Sequence, residues 1–210
     1  MTSTEQLIAE HLLQINAIKL QPANPFTWAS GWKSPIYCDN RKTLSYPAIR
    51  KTIAQAFAQK IQELYPNVQV IAGVATGAIA VGVLTAEELG LPFIYVRSSS
   101  KAHGLTNVIE GYFEKGQSVV VIEDLISTGG SSLKAVESLR EAGCTVLGML
   151  AIFTYGFDTA VQNFEKAHCS LHTLSNYNAL IALAIEKKYI TQDQVLSLQE
   201  WRMHPDTWGK

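Results

Sequence analysis

The spacing of apolar residues predicts two helices in the first third of the chain. Ser3 and Gln6 have the spacing of a capping box, and the apolar residues that follow recur at helical intervals, which predicts a helix over residues 4 to 18. A second helix is predicted to open at Pro47 and to end before Pro66. Its apolar face consists of Ile49, Ile53, Phe57 and Ile61.

The segment between these helices has the composition of a loop. Residues 20 to 47 are rich in Pro, Gly, Ser, Asn and aromatic residues, and only a short piece near Ile36 and Tyr37 has an extended pattern. We expect this segment to form a lid or hood, not a linker.

Beyond the second helix, strand and helix patterns alternate. Short runs of branched apolar residues predict strands at 68–72, 93–96, 119–122 and 146–153. Helices are predicted after Thr76, Thr128 and Asn176. The strand runs are apolar at nearly every position, which is typical of strands buried on both faces. The pattern predicts an α/β fold with a mostly parallel central sheet flanked by helices, in one domain with its hood mainly within residues 1–44 and its core at about 45–175.

Composition narrows the classes of partner. The chain has 17 basic and 18 acidic residues, and this balance predicts no nucleic-acid or membrane partner. Cys38, Cys144 and Cys169 form no CxxC pair, which argues against a disulfide framework and a zinc site. The first residues lack the basic segment and apolar run of a signal peptide. We therefore expect a cytoplasmic protein.

The segment that indicates chemistry follows the third predicted strand. Glu123 and Asp124 end the apolar run, where ligands of open parallel sheets bind, and two carboxylates there suit the vicinal hydroxyls of a ribose. The small residues from Ser127 to Ser132 offer close backbone approach, helix amides and hydroxyls to a phosphate. For an acid-plus-serine turn taken alone, the alternative is equally good: the acids end a strand in solvent, and Ser127 or Thr128 caps a helix.

The whole segment resembles a known signature. Residues 119–131, VVVIEDLISTGGS, are similar at every position to the signature with which type I phosphoribosyltransferases bind phosphoribosyl pyrophosphate (PRPP). Residues 26–41, 73–82 and 95–111 resemble the orotate branch of that family. The resemblance implies the type I fold with a small hood. It also implies transfer of the 5-phosphoribosyl group of PRPP to orotate, which forms orotidine 5′-monophosphate (OMP) and pyrophosphate in pyrimidine biosynthesis.

The resemblance implies a set of PRPP-binding residues, three of which are catalytic: Lys101, His103 and Asp124. The full set is Thr76, Gly77, Arg97, Lys101, His103, Glu123, Asp124, Leu125, Ile126, Ser127, Thr128, Gly129, Gly130 and Ser131. In the family, the loop at Thr76 and Gly77 wraps the pyrophosphate. An ordinary turn, with Thr76 as a helix cap, is the alternative.

A local cluster of cations follows the second predicted strand. Arg97 suits bidentate phosphate contact, while Lys101 and His103 can neutralise departing pyrophosphate, and Gly104 lets the loop fold over the site. A solvated loop is the alternative. In the orotate branch this loop closes over the neighbouring subunit's site, so the resemblance implies a homodimer with shared active sites.

The expected orotate contacts lie mainly in the hood. The resemblance places Tyr37 over the pyrimidine ring, with Ser30, Lys33 and Ser127 nearby. Tyr37 packed into the core and Lys33 as a solvated charge are the alternatives. At three positions the chain departs from some relatives, namely Ala29, Ser98 and Thr154. Because each departure removes a basic residue, the binding of the orotate carboxylate is left open.

The expected cofactor is Mg²⁺, held mainly by PRPP, with Asp124 contributing through water and no side chain bound directly. Two other functions share the PRPP signature: a purine or uracil phosphoribosyltransferase, and a regulator that senses PRPP without catalysis. The cluster of Arg97, Lys101 and His103, and the lack of an appended DNA-binding segment, favour an enzyme.

Overall fold

The computed structural model describes residues 3–28, 30–97 and 108–209. The first helix, α1 (Thr4–Gln14), begins at the predicted capping box: Ser3 Oγ accepts from the Gln6 amide at 3.2 Å, and Gln6 Oε1 accepts from the Ser3 amide at 3.3 Å. The prediction that this helix continues to residue 18 is wrong. Asn16 adopts a left-handed conformation with φ of +53°, which ends the helix, and a strand begins at Ile18.

The hood contains more regular structure than its composition predicts. Strand β1 (Ile18–Leu20) pairs antiparallel with β4 (Ile36–Cys38), and β2 (Phe26–Thr27) pairs with β3 (Lys33–Ser34). A 3₁₀ helix at Asn40–Ser45 follows. The extended piece predicted near Ile36 and Tyr37 is confirmed as β4. The other strands were missed because two or three residues are too few to show a periodicity.

The core is a six-stranded sheet covered by helices, as the pattern predicts. The elements in chain order are α2 (Pro47–Leu64), β5 (Val70–Val74), α3 (Ile79–Leu89), β6 (Phe93–Val96), β7 (Ile109–Glu110), β8 (Ser118–Ile126), α4 (Gly130–Glu141), β9 (Thr145–Thr154), α5 (Asp158–Lys166), β10 (Leu171–Asn176), α6 (Tyr177–Glu186) and α7 (Gln192–Met203). The strand order is β10-β9-β8-β5-β6-β7, and every pairing is parallel except that of β6 with β7. The predicted α/β class is confirmed.

Strand β8 shows why the central strands read as continuous apolar runs. Val120 and Ile122 face a cluster that includes α1, α2 and α7, whereas Val119 and Val121 face the cluster formed with α4 and α5. Both faces of the strand are therefore buried. The same alternation sends successive side chains beyond Ile122 to opposite faces of the sheet.

Both ends of the described chain pack against the core. Ser175 Oγ at the end of β10 donates to the main-chain oxygen of Glu5 in α1 at 2.8 Å. In α7, the Trp201 ring is fully buried, with its centroid 5.7 Å from Trp28 in the hood and 5.5 Å from Tyr155 after β9. The predicted boundary between the hood and the core, near residue 44, stays a prediction. In the described part of the chain, no helix has the length and apolar character needed to cross a membrane.

Candidate active site

A cleft of about 890 Å³ opens at the carboxyl ends of β5, β6 and β8, beneath the hood. Ligands of parallel sheets bind at such an edge. Its lining comes from the hood, the loop after β5, the strand ends and one face of α4: Cys38, Asp39, Arg41, Val74, Ala75, Thr76, Gly77, Val96, Arg97, Val108, Glu123, Asp124, Leu125, Ser131, Lys134, Ala135, Glu137, Ser138 and Glu141.

Asp124 lies against the loop that follows β5. A Cβ atom added to Gly77 would overlap the Asp124 carboxylate, so only glycine allows this approach. The start of the loop is fixed by β6, because the Ala75 amide donates to the Val96 carbonyl at 2.8 Å. The predicted pyrophosphate loop and the predicted ribose carboxylate are thus direct neighbours.

Glu123 points the other way, toward α4. Its carboxylate accepts from the Asp124 amide at 2.9 Å and from Ser132 Oγ at 2.8 Å, and the residue is only 5% exposed. Burial, reinforced by the Asp124 carboxyl, raises the pKa of Glu123 to about 8. The alternative, in which both acids end a strand in solvent, is therefore wrong for Glu123, because strand alternation turns its side chain inward. Its contact with PRPP stays a prediction.

The turn between β8 and α4 has the form expected of an anion site. Gly129 has a φ of +80°, and a Cβ there would lie 2.6 Å from the Phe164 ring, so this position requires glycine for two reasons. Asn163 Nδ2 donates to the Thr128 carbonyl at 2.9 Å. Within the described structure, no side chain caps the N-terminus of α4, so its first amides can serve an anion.

Half of the predicted PRPP-binding set lines the cleft: Thr76, Gly77, Arg97, Glu123, Asp124, Leu125 and Ser131. Ile126, Ser127, Thr128, Gly129 and Gly130 connect Leu125 to Ser131 without lining the cleft themselves. Arg97 Nη1 donates to Glu110 Oε1 at 2.9 Å. Lys101 and His103 lie outside the described residues, as do Ala29 and Ser98.

The predicted orotate residues do not line the cleft. Tyr37 is 40% exposed, with its ring centroid 5.6 Å from that of Phe26, so it is not a core residue. In the β2–β3 hairpin, Lys33 Nζ donates to Thr27 Oγ1 at 2.9 Å, and the Trp32 amide donates to Ser30 Oγ at 3.4 Å. Whether any of these residues contacts orotate stays a prediction.

Thr154, at the end of β9, supports the neighbouring turn. Its hydroxyl donates to the Ile126 carbonyl at 3.3 Å and accepts from the Gly156 amide at 3.0 Å. At this departure from some relatives, a neutral side chain braces the end of β8.

The residues of the site that were missed in the sequence include Arg41, Asn40 and Asn163. Arg41 lines the cleft and makes a two-point contact with Asp39, from Nε at 2.7 Å and from Nη2 at 3.1 Å. Asn40 is buried and donates to the Asp124 carbonyl. Both follow β4, and the only signal was their place in the stretch that resembles the orotate branch. Asn163 lies in α5, where no motif marks it.

The acidic side chains that line the cleft offer oxygen atoms as possible metal ligands. The carboxylate of Asp124 is the kind of ligand that Mg²⁺ accepts directly or through water. In the described ranges, no group of three or more His, Cys, Asp or Glu side chains could hold a metal ion.

The fold and the cleft match a known class of protein. A family model described as the phosphoribosyl transferase domain covers residues 41–184, which include the loop after β5, the acidic pair and the turn before α4.

Similar proteins define the family more narrowly. The orotate phosphoribosyltransferase of Porphyromonas gingivalis is 59% identical over 209 residues, covering 100% of both chains. The structure of Leishmania donovani UMP synthase is 29% identical with a TM-score of 0.80, over 94% of this chain and 42% of that one. The orotate phosphoribosyltransferase of Aeropyrum pernix is 26% identical with a TM-score of 0.75, over 88% and 99%. The chain belongs to the orotate phosphoribosyltransferase family, which confirms the resemblance seen in its motifs.

Proposed function

We propose that the protein transfers the 5-phosphoribosyl group of PRPP to orotate and forms OMP and pyrophosphate, a step of pyrimidine biosynthesis. The observation that carries this proposal is the full-length similarity to the orotate phosphoribosyltransferase of P. gingivalis. The geometry supports it, because Asp124 lies between a tight loop at Gly77 and an uncapped helix N-terminus.

Each part of PRPP has matching groups in the cleft or in the turn beside it. The 5-phosphate binds at the first amides of α4 and the hydroxyls of the turn from Ser127 to Ser131. The ribose hydroxyls bind the Asp124 carboxylate, and the pyrophosphate binds the loop at Thr76 and Gly77. Asp124 would help to hold, through water, a Mg²⁺ ion bound with PRPP, and that ion would supply positive charge to the leaving group.

The chemistry is the displacement of pyrophosphate at the anomeric carbon. The bond from that carbon to the pyrophosphate oxygen breaks and its electron pair leaves with pyrophosphate, while a ring nitrogen of orotate supplies the pair for the new bond. Positive charge develops on the ribose and is stabilised by the Asp124 carboxylate. Arg97, with Lys101 and His103, neutralises the leaving group. The negative charge of orotate lies on its carboxylate, so the attacking ring nitrogen also loses a proton as the new bond forms. Pyrophosphate, which leaves with the electron pair of the broken bond, can accept that proton, and no side chain is assigned as a general base.

We also propose a cytoplasmic homodimer in which the loop carrying Lys101 completes the neighbouring subunit's site. The support is the resemblance of residues 95–111 to the orotate branch and the position of Arg97 on the wall of the cleft, where this loop begins. The free thiols of Cys38, Cys144 and Cys169 suit a reducing compartment.

The function is tested by incubating the protein with PRPP and Mg²⁺ and one base at a time: orotate, uracil, hypoxanthine or adenine. We expect a nucleotide from orotate alone. A purine nucleotide or UMP formed at a similar rate would contradict the proposal. PRPP binding without any nucleotide would point to a sensor.

A further inference from the structure

A site that prefers orotate over uracil must recognise a carboxylate, since that group is what distinguishes the two pyrimidines. A basic side chain on the base side of the cleft is the simplest way to do so. Two residues discussed from the sequence do not supply such a cation: Lys33 donates to Thr27 and does not line the cleft, and Thr154 is neutral and donates to the Ile126 carbonyl.

Arg41 lies where such a cation is needed. Among the basic side chains that line the cleft in the described ranges, Arg41 comes from the hood, whereas Arg97 follows β6 and Lys134 lies on α4. Its side chain is 61% exposed. The pKa of Arg41 is raised above its usual value, mainly because Asp39 accepts its hydrogen bonds and attracts its charge. Tyr37 and Asp124 make smaller contributions in the same direction. Arg41 and Asp124, the predicted ribose contact, line the same cleft, and Tyr37, the predicted stacking residue, lies in β4 just before Arg41.

Asp39 occupies one edge of the Arg41 guanidinium and leaves hydrogen-bond donors on the other edge for a ligand. Asp39 accepts from Nε at 2.7 Å and from Nη2 at 3.1 Å, which fixes the plane of the group. Among the residues that the structure describes, only Asp39 accepts from Arg41. The donors of Nη1 and the second donor of Nη2 form the other edge of the fork, which matches a second carboxylate.

We propose that Arg41 binds the carboxylate of orotate through this open edge and thereby selects orotate over uracil. The inference rests on the proposed function, because that function is what brings a carboxylated pyrimidine to the hood. Asp39 is then a positioning residue, since it holds the guanidinium without contacting the base.

Steady-state kinetics of Arg41→Gln give the first test. We expect the KM for orotate to rise about 10- to 100-fold, the range for hydrogen bonds to charged groups, while the KM for PRPP stays within about twofold. Arg41→Lys keeps the positive charge but loses the two-point geometry of the guanidinium. Its KM for orotate should therefore lie between those of wild type and Arg41→Gln. Lys42→Gln is the matched control: it removes the adjacent positive charge, whose Nζ donates to the Asn16 carbonyl at 3.1 Å outside the cleft, and should change neither KM.

Product binding by calorimetry gives the second test, since OMP and UMP differ only in the carboxylate. In the wild-type protein OMP should bind more tightly than UMP, and in Arg41→Gln the two affinities should converge. If Arg41→Gln weakens orotate and PRPP equally, or leaves the preference for OMP intact, the assignment is wrong. Failure of the proposed function would look different, because the wild-type protein itself would then form no OMP.

Discussion

The side-chain amide of Asn40 donates a 2.6 Å hydrogen bond to the main-chain carbonyl of Asp124, a residue 84 positions further along the chain. Asn40 is 1% exposed, and the Cys38 thiol donates to its Oδ1 at 3.2 Å. Burial, followed by the charge of Asp124, raises the pKa of Cys38 well above its usual value, so this thiol stays protonated and can donate. The bond ties the hood to the strand end that carries the predicted ribose contact.

Breaking this bond should impair the alignment of the two substrates more than the binding of either one. For Asn40→Ala we expect kcat to fall about 10-fold or more, with smaller changes in the KM values for orotate and PRPP, because a misplaced reacting pair loses rate. Thr43→Val is the matched control. It removes a buried donor to the Asn40 carbonyl in the same 3₁₀ helix and should lower stability without lowering kcat. Equal kcat values for the two variants would contradict the coupling.

Glu123 should respond to substitution differently from Asp124, because its carboxylate is occupied by the Asp124 amide and Ser132. In Glu123→Gln, the amide oxygen can still accept from Asp124 and the amide nitrogen can donate to Ser132 Oγ. We therefore expect PRPP affinity to change little, measured by calorimetry. A loss as large as that of Asp124→Asn would show that Glu123 reaches the ribose after all.

The raised pKa of Glu123 predicts a pH dependence of stability. The unfolded chain releases this proton near its ordinary pKa, whereas the folded protein keeps it up to about 8. Between those values the unfolded state binds fewer protons, so the free energy of unfolding should fall as pH rises, by at most about 5 kcal/mol from this group. The free energy of unfolding, measured with urea at pH 5 and at pH 8, should fall more between these pH values for wild type than for Glu123→Gln. Equal losses would contradict the assignment.

The contact between Gly77 and Asp124 predicts a loss of PRPP binding without loss of fold. In Gly77→Ala the new Cβ would overlap the Asp124 carboxylate and displace it from the ribose. We expect PRPP affinity to fall by about 1.5 to 3 kcal/mol, the value of a hydrogen bond to a charged group. The circular dichroism spectrum should stay unchanged. Normal PRPP affinity would mean that the carboxylate can move without consequence.

The shared-site proposal predicts rescue between two inactive variants. Lys101→Ala should abolish activity because the leaving group loses the charge of Lys101, and Asp124→Ala should abolish it because PRPP no longer binds. A mixed dimer of the two variants contains one site in which both residues are intact. With random subunit exchange, activity should return to about a quarter of wild type. If tagged subunits confirm exchange and no activity returns, Lys101 acts within its own subunit or the dimer is absent.

The parts of the fold with strong local patterns could be predicted from the sequence. The helix after Pro47 and the strand before Glu123 were found because their apolar residues repeat over many positions. The hood strands were too short to show a pattern. The end of α1 depended on the left-handed conformation of one residue, Asn16.

Residues of the candidate site were predictable where they belong to a recognisable local motif, but the bonds between distant segments were not. The acidic pair and the turn before α4 form one continuous motif, whereas the bond from Asn40 to Asp124 and the contact of Phe164 with Gly129 join distant segments. The burial of Glu123 also depends on Ser132 and α4, which the acidic motif alone does not reveal.

The central claim is tested most directly by following OMP and pyrophosphate together, for wild type and Asp124→Asn side by side, with PRPP, Mg²⁺ and orotate. We expect wild type to form the two products in equal amounts. Asp124→Asn should lose about 1.5 to 3 kcal/mol in kcat/KM for PRPP, because a carboxylate contact to the ribose is gone. Pyrophosphate released without OMP, or an Asp124→Asn variant as active as wild type, would contradict the account.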